Sequence, residues 1–181
     1  MQMDSGMDTG PVYSRHRIAI APGETSGEVA ARLAELGAAV VRADVPRVLS
    51  DELPVEPQDD ALATTAPPIR AEDARVDWSK TAREIVNLVR AMGPDPGAHT
   101  MLGDKRLKVL QAEVSDDPRY EGNGASHAPG VVVRADARRG AFVATGSGVV
   151  SILRAQLEGR KALEARDLVN GRVLRDGDAL G

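Results

Sequence analysis

The sequence predicts a mixed α/β chain in two unequal parts joined by a linker. Three observations carry this. A capped amphipathic helix follows one short strand near the start, residues 54–68 are proline-rich and aperiodic, and short strands punctuated by glycine dominate after residue 98. The expected boundaries are residues 1–53, a linker over 54–73, and a small β-barrel or curled sheet with flanking helices over 74–181.

The first part opens with "MQMDSGMDTGPV", a glycine-punctuated loop carrying Asp4 and Asp8. In residues 12–20, "VYSRHRIAI", Val12, Ile18 and Ile20 suit a half-buried strand. Thr25 then reads as a helix N-cap with Glu28 completing a capping box, and Val29, Leu33, Leu36 and Val40 fall on one helical stripe. In the second part, "DWSKTAREIVNLVRAMGP" is the clearest helix, with Ser79 as the expected cap. Its expected buried face is Ile85, Leu88, Val89 and Met92, and Gly93-Pro94 ends it. "AHTML" and "RLKVLQAEV" flank a Gly103-Asp104 hairpin turn. "GVVVRA", "AFVATG" and "VVSILRAQL" read as further strands, and "LEARDLVNG" as a last short helix closed by Gly171.

Composition narrows the chemistry. The 181 residues contain one Trp, two Tyr and one Phe, so the core must be aliphatic. With no cysteine, disulfides, thiolate metal sites and cysteine nucleophiles are excluded. No apolar run reaches the roughly 18 residues of a membrane span. No basic flank followed by an apolar run opens the chain, so a cytoplasmic protein is expected. The net charge of −4 is asymmetric: residues 1–73 hold 6 basic against 13 acidic side chains, and residues 74–181 hold 17 against 14. A mildly basic second part can suit a polyanion, though charge alone favours a solvated mixed-charge surface.

Candidate catalytic residues are few. Asp8, on a tight glycine-flanked loop, can orient a general base or organise a water, or it can simply bond its own turn. An aspartic-protease reading of "DTG" fails because that site needs two such loops. His16, His99 and His127 show no metal-ligand spacing and read as structural or surface residues, so no metal is expected. Ser147 in "TGSGV" lacks the outer spacing of a nucleophile elbow, and no Lys-Ser/Thr follows to make a phosphate loop. Basic clusters remain at Lys105, Arg106 and Lys108, at Arg138 and Arg139, and at Arg160 and Lys161. Turn-borne clusters of this kind can converge on a nucleic-acid backbone, and the scarcity of aromatics argues against reading of unpaired bases.

These motifs, in order, resemble the C-terminal portion of the methionyl-tRNA formyltransferase family. The opening loop resembles the end of that family's catalytic domain, and "ETSGEVAARLAELGAAVV" is similar to its last long helix. "EDARVDWS", "GPDPGAHT", "GDKRLKVLQA", "APGVV", "VATGSG" and "QLEGRKALEARDLVNGRVLRDGDAL" track the family's barrel through nearly all 181 residues. The resemblance implies formyl transfer from 10-formyltetrahydrofolate to initiator methionyl-tRNA. It implies a Rossmann-like domain, of which residues 1–53 would be a remnant, followed by an OB-like barrel presenting a basic face to tRNA. The family's catalytic aspartate falls on Asp8 and its folate-pocket loop on Asp4, Ser5 and Gly6. Its catalytic Asn and His would fall upstream of Met1, so the chain is expected to be a C-terminal fragment, inactive alone. A separately encoded N-terminal half is then a further candidate partner. The implied tRNA contacts are Lys105, Arg106, Lys108, Arg138, Arg139, Arg160 and Lys161. Where the family usually carries Trp or Tyr this chain has Thr65, Asp95, His99 and Leu110. Its linker lysine falls on Pro68, and "QPEGKK" reads "QLEGRK".

Two alternatives stand beside this reading: a non-catalytic RNA-binding barrel module, and a related sugar N-formyltransferase, whose barrel is expected to lack "EGRK". If the stripe from Val29 to Val40 and the strand at 12–20 lack partners, limited proteolysis will cleave within residues 1–55 while 74–181 resists. Uniform resistance of both parts contradicts that expectation.

Overall fold

The computed structural model describes residues 1–117 and 127–181, and it divides into two compact units, Met1–Pro68 and Ile69–Gly181. No helix among the described residues is long and apolar enough to cross a membrane.

In the first unit, helix α1 spans Ser26–Leu49. Thr25 caps it in the extended conformation, and Thr25 and Glu28 satisfy each other's backbone N–H groups in a full capping box. Hydrogen bonding from Thr25, chiefly from its backbone, holds the Glu28 carboxyl below its ordinary pKa. No residue of α1 is buried, and Leu33, Val41, Val45 and Leu49 are exposed. The strand expected at residues 12–20 does not form: Val12 makes a single antiparallel bridge with Glu56, and the chain beyond it has no ladder. Side chains fix this segment instead. Arg15 pairs with Glu56, and Ser14 and His16 both engage Asp44 on α1. Residues 54–68 contain that bridge and one short 3-10 turn at Asp60–Leu62.

The second unit holds helix α2 at Ala82–Met92 and strands β1 (His99–Leu102), β2 (Lys105–Val114) and β3 (Val132–Asp136). Strands β4 (Gly140–Ala144), β5 (Val149–Leu157) and β6 (Leu163–Glu164) follow, then helix α3 at Ala165–Asn170. The strands form one antiparallel sheet in the order β1-β2-β5-β4-β3, with β6 also paired to β5. The mixed α/β expectation therefore holds. The cap of α2 is Thr81, not Ser79. Ser79 is drawn into a turn, donating its N–H and hydroxyl to Asp77, while Thr81 completes a capping box with Glu84.

Pairing of Leu102 with Lys105 leaves only Gly103-Asp104 between β1 and β2. Gly103 has φ +61°, the left-handed conformation that a tight hairpin asks of its first central residue. The core under the sheet is aliphatic, as the composition requires. Ile85 and Val89 of α2 pack with Leu107, Val109, Val150, Ile152 and Leu168. Trp78 is buried among them, and its indole N–H donates to the buried Thr100 hydroxyl at 3.0 Å. A turn at Thr145–Gly148 seats α2: the Ser147 carbonyl accepts the Ala82 N–H, and the Gly146 N–H donates to Trp78 and Lys80 carbonyls, each at 2.9 Å. Ser147 is thus part of a helix seat.

The C-terminal residues join both edges of the sheet. Leu180 bridges Leu102 beside β1, Ala179 bridges Val131 beside β3, and the Gly181 N–H donates to Met101. Gly130 makes this contact possible. It has φ +89°, and a Cβ there would lie 2.3 Å from the Leu180 carbonyl oxygen. Gly159 has φ +75° with open space around it. Gly159→Ala is expected to lower stability by about 1 kcal/mol from backbone strain, and Gly130→Ala by about 3 kcal/mol or more. Denaturant midpoints at unchanged m measure both, and equal losses would show that the closure carries no extra energy.

Candidate nucleic-acid interface

Strand alternation decides which basic residues face outward. Leu107 and Val109 of β2 point into the core, so Arg106 and Lys108 project from the opposite face. Register places His99 opposite Lys108, Met101 opposite Arg106, and Lys108 opposite Gln156 of β5. Arg75 bridges His99 in parallel from the segment before α2. Arg75, His99, Lys108 and Gln156 therefore follow one another as neighbours in register across four chain segments. The Lys108 side chain lies along Gly97, where an added Cβ would sit 3.3 Å from its Cδ. His99 is partly buried, and its pKa is lowered by that burial and by Arg106, Arg75 and Lys108, against an opposing hydrogen bond to the Gly97 backbone.

Lys105, Arg106, Arg160 and Lys161 gather at one end of the sheet. The Glu158 N–H donates to the Arg106 carbonyl at 2.8 Å, and the Arg106 N–H donates to the Glu158 carboxylate at 3.1 Å. That double contact fixes the β5–β6 turn, which carries Arg160 and Lys161, beside the start of β2. None of Arg75, Lys105, Arg106, Lys108, Arg160 or Lys161 forms a side-chain ion pair among the described residues.

Arg138 and Arg139 lie elsewhere, on the β3–β4 turn, with Arg139 reaching Asp116 and Asp117 just beyond the end of β2. The Asp136 carboxylate accepts the N–H groups of both at 2.9 and 3.2 Å, and its pKa is lowered mainly by the Arg138 bond. Arg138 itself extends into solvent. Arg139 donates to the buried Asp117 carboxylate at 2.7 Å and reaches Asp116 at 3.4 Å. Its guanidinium also lies over the Phe142 ring, 5.5 Å from the centroid.

In the first unit, the opening loop is folded on itself. Asp4 accepts the Gly6 N–H at 3.0 Å and the Thr9 hydroxyl at 2.7 Å, while Ser5 and Asp8 are exposed. Asp8 holds φ +56°, an unusual conformation for a residue with a side chain. Its carbonyl, with that of Gly10, accepts from the Gln58 amide. The Asp8 carboxylate has no hydrogen-bond partner among the described residues. Ser14, His16 and Asp44 bring together the residue types of a hydrolytic triad, but the wiring differs. The same His16 nitrogen, Nε2, meets both Ser14 (3.2 Å) and Asp44 (3.0 Å), and Ser14 already donates to Asp44 at 2.6 Å. A base that must take a proton from serine while its other nitrogen is held by a carboxylate is not present. The cluster ties residues 14–16 to α1, with the Ser14 bond the main cause of a lowered Asp44 pKa. Among the described residues, no group of three or more His, Asp or Glu is placed to hold a metal.

Residues 68–173 match the family model described as formyl transferase, C-terminal domain. The chain belongs to the formyl transferase family. It is 46% identical over its whole length to a methionyl-tRNA formyltransferase of Sorangium cellulosum, of which it covers 57%. It is 41% identical to one of Myxococcus xanthus, with 98% of this chain and 54% of the relative aligned. The chain thus spans a little over half the length of these curated relatives and matches their C-terminal part. Among solved structures, a variant of HypX from Aquifex aeolicus aligns with TM-score 0.69 at 18% identity, covering 97% of this chain and 30% of that one. HypX in complex with tetrahydrofolic acid aligns with TM-score 0.60. Both show the fold.

In this chain, sequence reading found five basic residues that the fold gathers and two that it separates from them. It missed Arg75 and His99 as members of the same face, since only the pairing of Arg75 with His99 brings them there. Arg139→Gln is expected to cost about 2 kcal/mol in stability, because Asp117 stays buried without its guanidinium. Arg138→Gln is expected to be neutral in the same denaturation measurement.

Proposed function

We propose that the chain is the tRNA-engaging C-terminal part of a methionyl-tRNA formyltransferase. The observation that carries this is the gathering of Lys105, Arg106, Arg160 and Lys161 at one end of a sheet, with Lys108 further along the same strand, in a formyl transferase C-terminal domain, and with no ion pair to neutralise them among the described residues. In this reading the second unit is an OB-like barrel offering a phosphate-binding face, and the first is the edge of a Rossmann-like catalytic domain. Arg138 adds a separate contact, and Arg139 serves the fold. A translation enzyme of this kind works in the cytoplasm.

The reaction joins the methionyl amino nitrogen to the formyl carbon, breaks that carbon's bond to the folate nitrogen, and releases an amine proton to a base. It requires the base close by and donors for the developing oxyanion. Asp8 supplies a carboxylate without a hydrogen-bond partner among the described residues, suited to orient an imidazole. His16 is turned to Asp44 and Ser14, and in this reading the imidazole is the one the family resemblance implies, from outside this chain. Asp4 is held by its own loop, which leaves Ser5 and the backbone through Gly6 to border the folate. A separately encoded N-terminal half is one source of the rest of the site.

The second reading, a non-catalytic RNA-binding module, is favoured by the separate compactness of Ile69–Gly181. The "EGRK" segment at residues 158–161 disfavours a sugar N-formyltransferase.

Gel shift of initiator methionyl-tRNA by the purified chain is expected to show binding that weakens roughly 100-fold between about 50 and 200 mM salt, as about four phosphate contacts predict. Absence of binding at low salt overturns the tRNA reading. No formyl transfer from 10-formyltetrahydrofolate is expected from the chain alone, and turnover would overturn the role given to outside residues.

A further inference from the structure

We propose that Arg75, His99, Arg106 and Lys108 form a phosphate-binding row for the RNA backbone on the outer face of β1 and β2. In this row His99 becomes a charged donor only when a phosphate is docked. The proposal rests on the tRNA reading above and adds to it two residues and a proton.

The geometry is set by strand pairing. Arg75 and Lys108 flank His99 as register partners on either side, and Arg106 lies diagonally from it on β2. Lys108 is steered along the Gly97 backbone, whose missing side chain leaves room for it. The charged groups acting on the imidazole are thus Arg75 from the segment before α2 and Arg106 and Lys108 from β2, all cations. Among the described residues the Glu158 carboxylate meets the row at the Arg106 backbone N–H, from which it accepts.

An imidazole placed among three cations and partly removed from water is held neutral, and its lowered pKa records this. A phosphate reverses both causes. It cancels the field of the cations and offers an acceptor that favours imidazolium. Binding must then take up a proton, and affinity must rise as pH falls. The row continues into Arg160 and Lys161 at the turn end, making a cationic strip rather than a point site. An RNA backbone fits it better than a flat base stack, because no Phe, Tyr or Trp belongs to the row.

The test is binding of initiator tRNA at fixed salt by the full chain, compared between about pH 7.5 and 6. The wild-type chain is expected to gain roughly three- to tenfold more affinity over this range than His99→Gln, the limit for one proton being tenfold per pH unit. The His99 imidazole resonance, followed by NMR, is expected to titrate below the ordinary histidine range in the free chain and higher with tRNA bound. Arg75→Gln is expected to reduce the salt slope by about one. Should the Gln variant fold poorly, His99→Asn gives the same readout. Parallel pH profiles for wild type and variant, with both binding, overturn the row and leave the tRNA reading intact. No binding at low salt overturns both.

Discussion

The second unit depends on how its C-terminal residues close the sheet. β1 and β3 are the two edges, and each would otherwise present unpaired backbone groups. Leu180 and Ala179 bridge to one edge each, and the buried Leu180 side chain plugs the core between them. The contact needs close approach of backbone to backbone at Gly130. Arg75 and Leu180 bridge the same edge of β1, at His99 and at Leu102, while β2 takes the other edge and sets Lys108 opposite His99. The same hold presents the Thr100 hydroxyl to the Trp78 indole.

Two adjacent arginines show how local geometry divides labour within one turn. Asp136 gathers both of their backbone N–H groups, so the turn is built identically up to Arg138 and Arg139. From there one side chain enters a carboxylate pair and lies on Phe142, and the other leaves for solvent. Composition and spacing treat "RR" as a single basic cluster. Whether a guanidinium is available to a phosphate is decided by Asp117, twenty-two residues away in sequence.

What the sequence made legible is what is local. The Thr25–Glu28 capping box, the Gly103-Asp104 hairpin and the closure of α3 at Gly171 depend on neighbours within a few positions. The strand expected at residues 12–20 failed because alternation shows only that a segment suits a sheet, and the described first unit contains no strand to pair with it. Ser79 lost the cap of α2 to Thr81 because Asp77, two residues earlier, took Ser79 into its own turn. The candidate site was legible only by charge. Its convergence comes from the Glu158–Arg106 contact, fifty-two residues apart, and from a bridge between Arg75 and His99 that no periodicity announces. Read singly, His99 looks structural; the bridge and the register set it beside Arg75, Arg106 and Lys108.

Trp78 gives the fold an optical property. It is the only tryptophan in the chain, it lies in the second unit, and it stands between the Thr100 hydroxyl and the Gly130 approach to Leu180. Its emission therefore reads the polarity around the sheet closure of the second unit. Far-ultraviolet ellipticity, by contrast, is weighted towards the 24-residue α1 of the first unit. The two signals report on different halves of one polypeptide, so their melting curves separate the units without cutting the chain.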